Sequence, residues 1–181
     1  MTRAGPQGRP ALDIRREPFD APDSTSLVAA LMADLDERYA GADVGDGDNP
    51  EMVATFTVRP EQVTPPTGSF LVARLDGVPV GCGAVRRMIG GAADVGEIKR
   101  MYTVPAARRR GVSRALLRAL EADAAALGFR RVQLETGLRQ PEAIALYEAE
   151  GYRRIPSFGQ YEGDELSVCF AKDLPRAERM L

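Results

Sequence analysis

Three segments of strand length, rich in apolar residues and bounded by turn residues, follow one another in the first half of the chain. They are residues 69–75, 78–88 and 95–104. Asp76-Gly77 separates the first two, and Gly90-Gly91 precedes the third. Asp-Gly is a strong signal for a tight hairpin turn because both residues tolerate a positive φ. The pattern predicts an antiparallel meander of three strands.

The second half of the chain changes to the 3.6-residue period of a helix. Residues 110–127 carry an apolar stripe that consists of Val112, Leu116, Ala119, Leu120 and Leu127. Asp123 interrupts this stripe, and Gly128 supplies the expected C-terminal stop. A strand over 129–136 follows. Because a strand, helix, strand order of this length makes a right-handed crossover, we expect this strand to run parallel to the one at 95–104.

Weaker signals complete the chain. We expect a strand at 11–16, a helix of about fifteen residues capped by Asp23 or Ser24, and a mobile loop at 41–49. Pro141 begins another helix that ends at Gly151, since proline favours the first helical turn. Leu166, Val168 and Phe170 alternate with other residues, which predicts a strand over 166–172 that should close the sheet.

The elements together predict an α/β fold of the mixed α+β kind. Its sheet is mostly antiparallel with one parallel pair, and helices cover both faces. With 181 residues and 44% hydrophobic content, the chain can bury one core of ordinary size. We expect one domain over 11–174, a disordered tail at 1–10 and a second tail at 175–181.

Composition excludes several classes of function. The chain has no histidine, which removes His-based zinc sites, Ser-His-Asp triads and Cys-His dyads. A serine nucleophile at Ser113 would lack its base, so a general base must be a carboxylate, a tyrosine or a water that such a group holds. The 26 acidic residues outnumber the 24 basic ones, which disfavours nucleic-acid binding. Cys82 and Cys169 are isolated in strand-like runs, which is typical of core thiols.

Two features bear on location. No run approaches eighteen apolar residues, so we expect no membrane association. Residues 1–10 lack the apolar core of a signal peptide. These features predict a cytoplasmic protein.

The junction between the third strand and the long helix has the layout of a phosphate cradle. Pro105 stops the strand because it lacks an amide hydrogen. An arginine- and glycine-rich turn, Arg108-Arg109-Arg110-Gly111, then opens the helix. Free amides at a helix start, the positive end of the helix dipole and nearby guanidinium groups can hold a pyrophosphate without a metal.

This segment resembles the acyl-coenzyme A binding motif of the GNAT superfamily of N-acetyltransferases, whose pattern is Gln or Arg, two residues, Gly, one residue, Gly or Ala. Here Ser113 takes the last small position. Two further blocks, Glu97 to Pro105 and Ala143 to Tyr152, resemble the central strand of the family and its later helix with a Leu-Tyr pair followed by Gly and an aromatic residue. The resemblance covers roughly residues 68–174.

The resemblance implies that the two central parallel strands splay apart and that acetyl-CoA, as co-substrate and without a metal, lies in the gap. It implies a set of cofactor-binding residues: Met101, Tyr102, Thr103, Arg108, Arg109, Arg110, Gly111, Val112, Ser113, Arg114, Gln140 and Ala143. Gln140 stands where the family usually has Asn. Tyr147 takes the position of the general acid, and Glu97 that of a general base acting through water, with Glu135 as the alternative carboxylate. Structural roles stay open for both residues: Tyr147 could simply pack under the sheet, and Glu97 could be an exposed carboxylate at a strand edge that pairs with a nearby arginine.

The predicted function is acetyl transfer from acetyl-CoA to a primary amine of a small molecule, peptide or protein by direct attack. The alternative is a catalytically silent acyl-CoA sensor that regulates a partner protein. The loop at 156–163 carries Phe158 and Tyr161, which either wall the acceptor site or pack on the sheet. Members of the family often dimerise, which makes a homodimer possible.

Overall fold

A computed structural model describes residues 11–41 and 57–175. The strands are Leu12–Arg16 (β1), Gly68–Leu75 (β2), Val78–Arg87 (β3), Val95–Thr103 (β4), Arg131–Gly137 (β5), Arg153–Ile155 (β6) and Ser167–Asp173 (β7). The helices are Pro22–Tyr39 (α1), Val112–Ala126 (α2) and Pro141–Ala149 (α3), with short 3-10 turns at Pro60–Val63, Pro105–Ala107 and Gly159–Tyr161. The predicted tail at 1–10, residues 42–49 of the predicted loop and residues 176–181 of the second tail lie outside the described residues.

The seven strands form one sheet in the order β1-β2-β3-β4-β5-β7-β6. The predicted meander β2-β3-β4 is confirmed, with the turn between β2 and β3 at Asp76 (φ 50°) and Gly77 (φ 84°). The prediction that the last strand closes the sheet is wrong. β6 lies at the edge and β7 sits between it and β5, because a three-residue strand is too short to leave a period in the sequence.

The parallel pair β4 and β5 is joined only at its beginning. Three residue pairs are in register, and the last is Glu97 with Gln133. Beyond that point β4 pairs with β3, and β5 pairs with β7. The two central strands therefore splay apart and open a gap in the middle of the sheet, as predicted.

A bulge in β4 lies at the start of this gap. Between the pairs Cys82–Tyr102 and Ala84–Lys99, two residues of β4 lie opposite Gly83 alone. Arg100, one of the two, has φ 58°. A Cβ on Gly83 would lie 2.8 Å from the Met101 sulfur, so the absence of a side chain there makes room for the bulged strand.

Helices cover both faces of the sheet, as predicted. On one face, α2 and α3 pack on the sheet through a cluster that includes Leu116, Leu120, Leu134, Tyr147 and Phe170. On the other face, α1 packs through a second cluster that includes Leu27, Leu31, Phe70, Val72 and Tyr102. No described helix is both long enough and apolar enough to cross a bilayer.

The start of α1 differs from the prediction. The helix begins at Pro22 with Ala21 in the N-cap position and has no side-chain cap. The expectation that Asp23 or Ser24 caps the helix is wrong, because Pro22 already supplies a favoured first residue that needs no amide partner. The helix is 18 residues long, about one turn longer than expected.

Asp123, which interrupts the apolar stripe of α2, has a structural role. It accepts hydrogen bonds from both Nε and Nη2 of Arg16 at 2.7 and 2.9 Å, and from the buried Ser69 hydroxyl at 2.6 Å. A charged residue on the packed face of α2 is therefore paired with groups of β1 and β2. This pairing offsets the cost of placing the charge there.

Candidate active site

Two adjoining cavities lie at the gap between β4 and β5. The Tyr161 cavity, of about 580 Å³, is lined by α1, β4, β5, α3 and the loop before β7. The Arg109 cavity, of about 710 Å³, is lined by α1, the end of β4, the start of α2 and α3. Five lining residues belong to both cavities: Leu31, Met101, Gln140, Ala143 and Tyr147. The cavities therefore meet beside Met101 and Tyr147.

The floor of the Arg109 cavity is the turn into α2. Gly111 is the N-cap residue with φ 82°, Arg109 has φ 60°, and no side chain caps the helix. Within the described parts of the chain, no carbonyl accepts a hydrogen bond from the amides of residues 109–114. The helix start therefore presents several amides, together with arginine side chains, to an anion.

Most of the predicted cofactor-binding residues line this cavity. They are Met101, Tyr102, Thr103, Arg108, Arg109, Gly111, Ser113, Arg114, Gln140 and Ala143. Arg110 is exposed and Val112 is buried in the core under the sheet, and neither side chain lines the cavity. A contact of Val112 with a cofactor would therefore go through its backbone.

Ser113, which departs from the family pattern, uses its hydroxyl. The Ser113 and Thr103 hydroxyl oxygens lie 2.9 Å apart and share a hydrogen bond. This bond joins the end of β4 to the first turn of α2. It therefore helps to fix the spacing between the end of the strand and the start of the helix.

A series of ion pairs that the sequence did not reveal connects α1 to this site. Arg108 donates to the Thr103 carbonyl at 3.1 Å and to Asp34 at 2.9 Å. Asp34 also accepts from Arg38 at 2.7 Å, and Arg38 pairs with Glu142 at 2.6 Å. Burial opposes ionisation of Asp34, but the hydrogen bonds from Arg108 and Arg38 outweigh it and lower the Asp34 pKa. No short motif could have signalled contacts across more than 70 residues of chain.

Tyr147 stands where the two cavities meet. Its ring packs on Tyr152 and Phe170, with centroids 5.6 and 5.8 Å away, and only 5% of the residue is exposed. Among the described residues no group is hydrogen-bonded to its hydroxyl. Burial, and to a lesser degree the charge of Glu135, raise the pKa of Tyr147. The phenol therefore stays protonated and can donate a proton into the cavity.

Glu97 is 2% exposed, so the expected exposure at a strand edge is wrong, but the expected pairing with an arginine is found with Arg86. Its carboxylate accepts hydrogen bonds from Arg86 Nε at 2.9 Å, Lys99 Nζ at 3.3 Å and the Tyr161 hydroxyl at 3.4 Å. It lines neither cavity. A substrate could exchange a proton with Glu97 only through an intervening group such as a water.

Glu135, the alternative carboxylate, lines the Tyr161 cavity. It accepts a hydrogen bond from the Ser167 hydroxyl at 2.8 Å. Burial raises the pKa of Glu135, although the bond from Ser167 and the charge of Lys99 oppose the shift. A carboxylate with a raised pKa is a stronger base than an ordinary one when it is ionised.

Two further segments line the Tyr161 cavity. Lys99 and Arg100 extend from the bulged part of β4, and Tyr161 and Asp164 from the loop before β7. The Tyr161 hydroxyl accepts a hydrogen bond from Lys99 at 2.7 Å. Phe158 packs edge-on against Tyr161, with centroids 5.4 Å apart, and does not itself line the cavity.

The wall on α1 could not be anticipated from the sequence. Tyr39 lines the Tyr161 cavity, and its ring lies directly over Gly137 at the end of β5. A Cβ on Gly137 would fall 1.6 Å from the Tyr39 hydroxyl oxygen. Gly137 therefore allows α1 to approach the open end of the gap, and any side chain there would push Tyr39 away.

The splayed sheet and the amide-rich helix start define a class of protein that binds an acyl-CoA and transfers its acyl group. The family model described as the acetyltransferase (GNAT) family matches residues 29–152. The chain belongs to this family, and it is an N-acetyltransferase that uses an acyl-CoA as co-substrate. This assignment favours the enzyme over the silent sensor.

Individual proteins agree with the assignment. The chain is 37% identical over 147 residues to an IAA acetyltransferase of Azospirillum brasilense. The aligned segment covers 81% of this chain and 90% of the relative. It is 31% identical to a Klebsiella pneumoniae protein assigned to the acyl-CoA N-acyltransferases, with a TM-score of 0.71 over 90% of this chain and 97% of the other. A Salmonella typhimurium acetyltransferase that contains acetyl-CoA shares the fold, with 18% identity and a TM-score of 0.61 over 93% and 96% of the two chains.

Proposed function

We propose that the chain transfers the acetyl group of acetyl-CoA to a primary amine of a small molecule, peptide or protein by direct attack. The observation that carries the proposal is the meeting of two cavities at Met101 and Tyr147. The Arg109 cavity has the amides and guanidinium groups that suit a diphosphate. The Tyr161 cavity has the carboxylates that suit an amine. The reacting carbon then lies at their junction.

In this proposal the residues 109–114 and Arg108 bind the diphosphate, and the free edge of β4 near Met101 and Thr103 binds the pantetheine arm as a short added strand. The splayed part of β4 has no partner on its β5 side among the described residues. Its backbone groups on that side are therefore available to an extended ligand.

The transfer forms a C–N bond and breaks the C–S bond. The amine nitrogen attacks the thioester carbon in its neutral form, and the proton it gives up goes to a carboxylate. We assign this proton acceptor to Glu135, because it lines the cavity and burial raises its pKa. Glu97, acting through water, is the alternative. Tyr147 donates a proton to the departing thiolate, for which its raised pKa keeps it protonated.

The test is release of the CoA thiol from acetyl-CoA with a panel of amines, in parallel with CoA binding measured by calorimetry. IAA, for which the Azospirillum relative is named, is tested separately from the amines. We expect CoA binding and amine-dependent thiol release. Tight CoA binding without turnover on any acceptor would contradict the proposal. The homodimer and the cytoplasmic location stay predictions.

A further inference from the structure

We propose that the acceptor is an amino acid or a similar small molecule that carries a carboxylate beside its amine, and that Arg100 and Lys99 bind this carboxylate. The inference rests on the proposed amine acetylation, because it names the chemical class that the Tyr161 cavity takes. It goes beyond that proposal, since an amine acceptor needs no anionic group.

The first support is where the two cations lie. Lys99 and Arg100 line the Tyr161 cavity and do not line the Arg109 cavity. They therefore face the acceptor and not the diphosphate of the co-substrate. The arginines of the turn before α2 are placed to bind the diphosphate, so that role does not explain why Lys99 and Arg100 line the Tyr161 cavity.

The second support is the backbone that carries Arg100. Its φ of 58° places it in the left-handed region, at the bulge where two residues of β4 oppose Gly83. A non-glycine residue in this region costs about 1 kcal/mol, and such conformations persist where the surrounding structure imposes them, often at functional sites. The bulge changes the direction of the side chains on β4 just where the strand lines the cavity.

The third support is the density of positive charge. Burial lowers the pKa of Lys99; the charge of Glu97 opposes this shift, and the charges of Arg86 and Arg100 add to it. Burial also lowers the pKa of Arg100; Tyr161 and Glu97 oppose this shift, and repulsion from Arg86 adds to it. Glu97 pairs with Arg86 and Lys99 and offsets part of this positive charge. A carboxylate bound beside Lys99 and Arg100 offsets more of it and makes charge-assisted hydrogen bonds.

The same cavity also holds groups for the amine. The carboxylates of Asp36, Glu135 and Asp164 line it. Both signs of charge are therefore present in a space of about 580 Å³, which suits a ligand that itself carries both an amine and a carboxylate. A plain alkyl amine carries no anionic group that could contact Lys99 and Arg100.

The test compares acceptors that differ only in the carboxylate. We would measure kcat and KM of the full chain with acetyl-CoA for pairs such as phenylalanine and phenethylamine, or β-alanine and ethylamine. The expected result is a kcat/KM at least 10-fold higher for the member with the carboxylate, mainly through KM. Equal values, or a preference for the plain amines, would overturn the inference and leave amine acetylation in place.

A variant locates the effect. Arg100→Gln should raise KM for the carboxylated acceptor by roughly 10–100-fold, which corresponds to the loss of one or two charge-assisted hydrogen bonds. KM for the matched plain amine should change little. Arg15→Gln is the control, because Arg15 is an exposed arginine of β1 whose side chain is 74% accessible. Lys99→Gln provides a second variant if the first does not fold.

Product binding separates this inference from the proposed function. Calorimetry of N-acetylphenylalanine and N-acetylphenethylamine with the CoA-loaded protein needs no turnover. Carboxylate-dependent binding that Arg100→Gln abolishes supports the inference even if no amine is acetylated, in which case only the proposed function fails. Equal binding of the two compounds to the wild-type protein overturns the inference.

Discussion

Tyr152 fixes the position of Tyr147 through both its backbone and its ring. The Tyr152 amide donates to the Tyr147 carbonyl at 3.0 Å, and the Gly151 amide donates to the Glu148 carbonyl at 3.1 Å. With Gly151 at φ 83°, these bonds make the Schellman ending of α3, and the ring of Tyr152 supplies its hydrophobic contact. The pattern of a Leu-Tyr pair followed by Gly151 and Tyr152 therefore holds Tyr147 at the junction of the two cavities.

The first prediction concerns this phenol. Tyr147→Phe should lower kcat by roughly 10²-fold, because it removes the proton donor for the departing thiolate. The Kd for CoA should stay within about twofold of the wild-type value, since the ring and its packing are retained. Tyr152→Phe is a matched control, because it removes a buried hydroxyl that lines neither cavity. If both variants keep wild-type kcat, Tyr147 is not the general acid.

The second prediction concerns the two ends of α2. Gly111 and Gly128 have φ of 82° and 91°, and a Cβ on either would meet no protein atom within 4 Å. Alanine at either position should therefore cost about 1–2 kcal/mol of unfolding free energy. Only Gly111→Ala should also weaken CoA binding, by roughly tenfold or more, because its methyl group enters the Arg109 cavity. Equal CoA affinities in the two variants, measured by calorimetry, would remove the α2 turn from the binding site.

The third prediction concerns Asp34, which joins Arg108 and Arg38. Asp34→Asn should lower the free energy of unfolding by about 1 kcal/mol at pH 7, since two charge-assisted hydrogen bonds become neutral ones. Because the pKa of Asp34 is lowered in the folded state, this contribution is present above the ordinary pKa and is lost as the pH falls through the folded value. Denaturant unfolding at pH 7 and pH 3 checks this, with Glu37→Gln on the exposed side of α1 as control. A difference that persists at pH 3 contradicts it.

The fourth prediction separates the two carboxylates. The base must be ionised, so kcat/KM should rise with pH through the pKa of Glu135. Because burial raises this pKa, the rising limb of the pH–rate profile should lie above the usual glutamate range. Glu135→Gln should abolish the limb and lower kcat by roughly 10²-fold. It should also stabilise the fold at pH 7, because it removes the cost of a buried charge, and this gain should vanish below the unfolded pKa of about 4.3.

The companion variant Glu97→Gln tests the alternative. It leaves Arg86 and Lys99 buried without their carboxylate partner, so it should destabilise the fold by about 3 kcal/mol. The rise of kcat/KM with pH should remain but move to lower pH, because the charge of Glu97 contributes to the raised pKa of Glu135. A limb that is lost in Glu97→Gln and kept in Glu135→Gln would assign the general base to Glu97.

The sequence was informative where chemistry depends on local order. The turn from Pro105 to Gly111, the stop at Gly128 and the Pro141 start each follow from a few adjacent residues, and all three are found in the structure. The parallel pair could be predicted as well, because a strand, helix, strand order permits one handedness.

Contacts between residues that are far apart in the sequence could not be predicted. The pairing of Asp34 with Arg108, the approach of Tyr39 to Gly137 and the burial of Glu97 between Arg86 and Lys99 all depend on the packing of separate elements. Glutamate at the start of a strand reads as an exposed residue, because nothing beside it in sequence reveals a buried arginine on the neighbouring strand. β6 was missed for a related reason, since its three residues are held by pairing with β7 and not by their own pattern.

A crystal structure of the chain with acetyl-CoA tests the central claim most directly. The account predicts that the amides of residues 109–114 lie 2.7–3.2 Å from diphosphate oxygens and that the thioester carbon lies between Met101 and Tyr147. A diphosphate bound elsewhere, or a thioester outside the junction of the two cavities, would contradict it.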